Sequence, residues 1–594
     1  MTRWRVAPHD RAAIGRLCQE LKCAPLLAQI LAARGVPSGA AAQALLSTNI
    51  SELSDPDTLP GAAAAAERIV AAVRAGRRIT IYGDYDVDGI TATSILWRCL
   101  KLAGAQVDYY IPCRFEEGYG LNSEALRQLH AEDPQRLLIT VDCGIASLAE
   151  ARVARELGLE LIVTDHHTFA EELPDVDVVV HPRLPGHASA FEDLCGAGVA
   201  FKVAWRVCQI LNADENGETR KVSPRMREFL KSAVALAAMG TVGDVVPLRS
   251  ENRIIVCYGL KAIRETPHSG LTQLLEVAGL KDKQTLTAED IGFSLAPRIN
   301  AAGRLGQSRL AVELLTTDNE QRAAQIATHF DELNKTRQSV ERKMFKQARE
   351  LIEADPALAE QAVLVIAHPE WHVGVVGIVA GRIAEQYARP AIMIALDEQK
   401  QTGQGSARTH GGFDLHAALT ACREHLERFG GHRAAAGLHV RKETIDAFRT
   451  AIVEYAASNR DAPDHAPAVN VDAEVQLGDL THRAVRELER LGPFGAEHGR
   501  PVLMTSRVEL VEPPKKMGGG ERHLSLRVRQ GNSVLRCVAF GKGDWADEIA
   551  ACDAALSICF SPSLNSFNGY ENVELQLIGW QPAAKAPELA AAGT

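Results

Sequence analysis

No stretch of this 594-residue chain approaches the ~18 consecutive apolar residues that a bilayer span needs, which argues against a membrane anchor. None of its 12 cysteines stands in a C-x-x-C pair, so reduced thiols are expected. The opening MTRWRVAPHD lacks the apolar core of a signal peptide, and a cytoplasmic location is the expectation. An excess of positive charge is missing too. The formal net charge of -10 argues against a uniformly basic nucleic-acid coat, although a local basic channel stays open and an acidic site would add to the negative total.

What is present is enough for several cores, since 46% of the residues are hydrophobic, and three or four domains are expected. Residues 1–75 read as an alanine-rich helical region without chemistry. From 76 to 250 the strands ITIYG, QVDYYIP, RLLITVD, LELIVTD and VDVVVHP alternate with helical stretches, the pattern of an α/β domain with a doubly wound parallel sheet. Residues 251–354 form a helical connector. Its last part carries apolar residues from Ile326 to Leu351 near a 3.5-residue spacing behind a Thr317–Glu320 capping box, and predicts a helix of about 55 Å. A second α/β domain occupies 355–450. Short strands with Gly and Asn turns over 466–582 predict an OB-type β-barrel, and 583–594 are a low-complexity tail.

The stretch GDYDVDGI at 83–90 sets Asp84, Asp86 and Asp88 at alternate positions before Gly89. A calcium loop of the EF-hand kind would need a bidentate glutamate at its twelfth position, where Ile95 stands, and a preceding helix where a strand is expected. The acids belong instead to a strand-to-helix turn at the carboxyl edge of a sheet, where open α/β sheets bind ligands. Other strand ends carry Asp142 and the run Asp165-His166-His167, and Asp244 follows a helical segment. One aspartate after a strand is commonly a helix cap. So many acids converging on one rim would repel each other unless a cation neutralised them. Oxygen-rich ligation with one or two histidines and no thiolate favours Mn²⁺ or Mg²⁺, with ligands enough for two ions. A pair about 4 Å apart suits phosphodiester hydrolysis.

These motifs, GDYDVDG, VDCGI, TDHH and GTVGDVVPL, resemble those of the DHH phosphoesterase superfamily. Within it, IPCRFEEGYGL at 111, LAPRINAAGRLG at 295, PEWHVGVVGIVAGR at 369, GSAR at 405, FGGHRAAAG at 429 and LNSFNGYENVELQL at 564 are similar to the RecJ exonuclease family. The resemblance implies a DHH catalytic domain, a DHHA1 domain, an OB domain, and removal of mononucleotides from the 5′ end of single-stranded DNA in recombination and repair. It implies that Asp86, Asp88, Asp142, His166 and Asp244 hold two metal ions, Asp142 bridging, and that His167 and Asp84 act beside them. Many superfamily members have a histidine where this chain has Tyr82.

The resemblance also implies that Arg114, Ser406 and Arg408 cradle a 5′-phosphate, with Arg304 nearby and Gly430, Gly431 and His432 letting backbone approach the substrate. Lys515, Lys516, Arg522, His523 and Phe567 are expected to line a DNA groove on the barrel. A RecQ-type helicase and a single-strand-binding protein are the implied partners, and a monomer is expected. Two other readings stay open. One is a phosphodiesterase for short oligonucleotides or cyclic dinucleotides, which would usually lack the N-terminal region and the barrel. The other is a non-catalytic DNA-binding scaffold, which would lack the full set of ligands.

Overall fold

The computed structural model describes residues 3–113, 117–118, 120–169, 172–212, 222–266, 268–459, 468–567 and 570–583. The chain forms two compact units, Ile50–His465 and a second made of Met1–Asn49 with Ala466–Thr594. Among the described residues no helix is long and apolar enough to cross a membrane.

In the larger unit, five strands form a wholly parallel sheet: β1 (Arg78–Gly83), β2 (Gln106–Tyr110), β3 (Leu137–Val141), β4 (Glu160–Thr164) and β5 (Val178–Val180). Their spatial order is β2–β1–β3–β4–β5, so the chain reverses direction across the sheet between β1 and β3. The central strands are buried along almost their whole length, because helices cover both faces and leave no place for a polar alternation. Ile79, Ile81, Ile139 and Ile162 face a core shared with α1 (Val87–Leu102), α2 (Gly196–Leu211) and α3 (Pro224–Gly243). Tyr82, Leu138, Leu161 and Val163 face the opposite layer, with Leu126 and Ala154.

The helices between 250 and 316 join that first core through Ile255, Leu271 and Leu314, so most of the expected connector packs with the parallel sheet. One of these helices is α4 (Ala296–Arg304). The connector proper is α5 (Glu320–Ala354), 35 residues, or about 53 Å at 1.5 Å per residue. Its first half buries Ile326 and Phe330 in the first core, and its second half buries Met344 and Ile352 in another. The expected Thr317–Glu320 capping box does not form. Asn319 is the N-cap, its side chain accepting from Arg322 N at 3.0 Å, because Thr317 instead ends the preceding helix.

That other core lies under a mixed sheet of β6 (Leu364–His368), β7 (Ala391–Asp397), β8 (Thr402–Arg408), β9 (Arg428–Gly431) and β10 (Ala435–Arg441), ordered β9–β10–β8–β7–β6. Helix α6 (Val373–Tyr387) packs on it. In the smaller unit the strands Leu503–Leu510, His523–Gln530, Ser533–Ala539, Leu556–Phe567 and Tyr570–Pro582 belong to one coiled seven-stranded sheet, with an additional pairing of Glu509 and Leu510 to Arg529 and Val528. Helices from 1–49 bury Leu27, Ile30 and Leu31 in the same core as Leu526, Phe560 and Leu575. The region 1–75, read as one helical segment, thus divides near residue 50.

Candidate metal centre

Asp84 follows β1, and Asp86 is the N-cap of α1, its carboxylate accepting from Asp88 N at 2.9 Å and Gly89 N at 3.2 Å. This holds Asp88 in the first turn, fully buried. The N-terminus of α2 grips it: Gly196 N donates to Oδ2 at 2.6 Å and Ala197 N to Oδ1 at 2.8 Å. Two otherwise unsatisfied helix amides therefore fix a buried carboxylate. Asp142, just past β3, takes φ of 61°, a left-handed conformation tolerated by Asp, and its amide donates to Thr164 O. Asp165, past β4, accepts from Ile145 N at 2.9 Å and holds His167 Nδ1 at 2.7 Å. Asp244 caps the C-terminus of α3.

These side chains converge. His166 Nε2 lies 3.1 Å from Asp142 Oδ1, 3.6 Å from Asp244 Oδ2 and 3.7 Å from Asp88 Oδ2. Three overlapping groups have ligand atoms within 4.8 Å of one another: Asp84–Asp86–Asp142, Asp88–His166–Asp244 and Asp142–His166–His167. Asp142 and His166 each belong to two. The acids from β1 and β3 meet where the strand order reverses, at the point where such sheets open a crevice. Tyr82 is not part of the centre. It is buried in the opposite layer, donates to Gly120 O at 3.2 Å and stacks on Tyr110.

The centre holds more negative charge than its dry surroundings tolerate. Burial pushes Asp142 well above the carboxylate range, and Asp88, Asp86, Asp84 and Asp244 push it further. Burial, then Asp88 and Asp86, brings Asp244 to about 9, and burial raises Asp88. Burial and His167 lower His166 to about 4, which leaves a neutral imidazole with a lone pair to give. Burial acts to lower His167, but the hydrogen bond and charge of Asp165 prevail and raise it to about 9. Asp165, against the effect of burial, falls to about 2 through that same bond and the charge of both histidines. A divalent cation reverses the repulsion among the acids. The donors are hard: Cys143 and Cys195 adjoin this region, but burial drives both thiols well up, away from thiolate.

Close approach completes the packing. A Cβ on Gly196 would lie 2.6 Å from Asp142 Oδ1, and one on Gly240 would lie 2.5 Å from Ala197 Cβ and closer still to Asp88 Oδ1. Sequence reasoning missed both glycines and the amide grip of α2. Asn300, in α4, was missed as well; its side chain accepts from Val87 N at 2.8 Å and ties α4 to the acidic turn. The run N-A-A-G-R was the available signal.

An open cleft of about 520 Å³ runs from Asp84 and Asp86 to Arg304, Ser406, Arg408, Gly431 and His432. Arg408 Nη1 donates to Ser406 Oγ at 2.9 Å, and Arg304 Nη1 to Gly374 O at 2.9 Å. The N-terminal part of α6 lines the same cleft through Val373, Val376 and Gly377. Gly430 does not line it; nothing crowds a Cβ at that position. Arg114 lies outside the described residues, as does the side chain of Phe567. On the smaller unit Lys515 pairs with Glu512 and Lys516 with Asp547, both at 2.7 Å, while Arg522 donates to Gly519 O and His523 Nδ1 accepts from Gly541 N. Both lysines are thus partly neutralised where free cations were expected.

Buried acids and imidazoles at the reversal point of a doubly wound sheet, with guanidinium groups across a cleft, define a metal-dependent phosphoesterase of the DHH class. Family models match accordingly: the DHH family, N-terminal domain, over 78–239, the DHHA1 domain over 360–458 and the RecJ OB domain over 471–579. The single-stranded-DNA-specific exonuclease RecJ of Bacillus subtilis is 38% identical over 97% of this chain and 70% of its own length, and that of Escherichia coli 35% over 93% and 95%. The crystal structure of Thermus thermophilus RecJ with Mn²⁺ is 32% identical, with TM-score 0.80 over 98% of this chain and 80% of that one. A Mg²⁺ complex of the same protein gives TM-score 0.74. The chain belongs to the RecJ family of single-stranded-DNA-specific exonucleases.

Proposed function

We propose that this protein is a metal-dependent exonuclease that shortens single-stranded DNA from its 5′ end, releasing mononucleotides, with Mn²⁺ or Mg²⁺ at two positions. The observation that carries the reading is the overlap of three ligand groups through Asp142 and His166. Five aspartates and two histidines, with no thiolate, fit hard divalent ions. Asp86, Asp88, Asp142, His166 and Asp244 would hold them, with Asp142 between and Asp84 beside it. When bound, such a pair supplies an activated water and charge stabilisation at the attacking and leaving oxygens.

The chain's own groups do the rest. Arg408 and Ser406, with Arg304 nearby, grip the terminal 5′-phosphate, since guanidinium forks suit a dianion. That anchors the strand with its first internucleotide phosphate over the acids. The bond that breaks is the one from that phosphorus to the 3′-oxygen of the terminal nucleotide. His167, oriented by Asp165 through its Nδ1 at 2.7 Å, stands beside the acids, and the leaving oxygen takes its proton from this imidazole or from water. The OB-type domain adds affinity for single strands, and a RecQ-type helicase and a single-strand-binding protein in the cytoplasm supply the strand.

The test uses single strands labelled at either end, with Mn²⁺, against duplex and cyclic dinucleotide. Mononucleotide release from the 5′-labelled end of single strands, abolished by chelator, is the expected result. Preference for cyclic dinucleotide would overturn it.

A further inference from the structure

Phe293 is 83% exposed, and Val245 is 68% exposed. Neither belongs to the centre or the cleft described above. A lone exposed apolar residue is ordinary, but each of these two stands on an unusual piece of backbone. Val245 directly follows Asp244 and takes φ of 62°, a left-handed conformation that a β-branched residue adopts only where the surroundings force it. Phe293 stands in a π-helical turn, Ile291–Leu295, a rare geometry that is frequent at functional sites.

The turn adjoins the end of α3: a Cβ on Gly292 would lie 3.6 Å from Val242 Cγ1. It is also rigid, because Arg298 donates to Ser294 O at 2.6 Å, to Asp331 Oδ1 at 3.0 Å and to Val277 O at 3.4 Å. An aromatic ring is therefore presented to solvent from a fixed base that packs on the end of α3.

The path of the strand says what meets it. The cleft takes the 5′ end and includes Asp84, Asp86 and Gly243, whereas Asp244, Val245 and Phe293 lie outside its lining. A strand whose terminal phosphate sits at Arg408 and whose scissile phosphate sits over the acids continues beyond the cleft, and the turn that carries Phe293 packs against the end of α3, which Asp244 caps. We propose that Phe293 is a stacking platform for a nucleobase of the DNA strand on the 3′ side of the scissile phosphate. An exposed aromatic ring offers a nucleobase a stacking face and offers a phosphate no partner. Phe293 is then a positioning residue, holding the strand in register between cuts, and the inference rests on the exonuclease reading.

The experiment compares the full-length protein with Phe293→Ala and Phe293→Trp, on 5′-phosphorylated single strands with Mn²⁺. A second strand carries abasic tetrahydrofuran sites at nucleotides two to four. Stacking on one base is worth enough that Phe293→Ala should raise KM about tenfold while kcat changes little. Phe293→Trp should restore it. The abasic strand should raise the wild-type KM to match and leave the alanine variant unaffected. An unchanged KM in Phe293→Ala, or an equal loss on intact and abasic strands, overturns the platform and leaves the nuclease standing. A wild-type protein that releases no mononucleotide from any single strand overturns both. Melting temperature controls for folding, and a side chain so exposed should not move it.

Discussion

Asn in place of Asp142 removes one negative charge from the centre while keeping its shape. Asn tolerates the left-handed backbone at φ of 61°, where Ala would add strain. Asp142 belongs to two ligand groups, so the change disturbs both candidate ion positions at once. If the ions stabilise charge in the transition state by several kcal/mol, losing about 4 kcal/mol lowers kcat about a thousandfold. Stability without metal should move the other way. Asp142 is buried and repelled by Asp88, Asp86, Asp84 and Asp244, so neutralising it relieves the metal-free protein. In chelator the variant should melt no lower than wild type. With Mn²⁺ at a hundredfold excess over Kd the wild type should gain about 2.7 kcal/mol, and the variant much less. Thermal unfolding with chelator and with Mn²⁺, beside mononucleotide release, reads both effects. Turnover within tenfold of wild type, or melting well below wild type in chelator, would refute the reasoning.

Gly240→Ala forces a methyl against Asp88 and Ala197, and should cost about 1–3 kcal/mol of stability and weaken Mn²⁺ binding, as melting and metal titration would show. Arg408→Ala should slow hydrolysis of 5′-phosphorylated strands about tenfold more than of 5′-hydroxyl strands; equal losses would take Arg408 out of end recognition. His268 offers a pH effect remote from the centre. Buried, and 3.3 Å from Arg98, it is lowered by burial and by that charge to about 3, and its Nδ1 accepts from Leu271 N. The unfolded chain binds this proton near 6.5 and the folded one near 3, so stability should fall as pH drops through that window, by about 1.4 kcal/mol per unit. Urea titrations of wild type and His268→Asn, which keeps a capping side chain, should differ by that slope.

The chemistry of the centre was legible because it is written locally. Strands with acids at their carboxyl ends declare themselves within a few residues, and the parallel order follows from alternation with helices. Asp84, Asp86, Asp88, Asp142, His166, His167 and Asp244 could therefore be named from spacing and motif before any fold was known. The long helix was legible for the same reason, though not its cap, because Thr317 and Asn319 are both capping types and the path of the preceding helix decides between them.

Other features depend on residues far apart in the chain. Asp88 is gripped by amides 108 and 109 residues away, and nothing in C-G-A-G at 195–198 announces a carboxylate as its partner. Lys515 and Lys516 read as free charge until the fold brings Glu512 and Asp547 to them. The helices before residue 50 carry apolar faces that any core could take; they pack with the β-rich C-terminal part, a choice of partner that periodicity cannot encode. The exposure of Phe293 and Val245 is of the same kind, since an apolar letter implies burial until packing leaves it in water. Residue types and short spacings determined what chemistry this chain can do. Tertiary structure alone decided which backbone groups, counter-charges and surfaces surround it, because those are set by which distant segments can fill the same space.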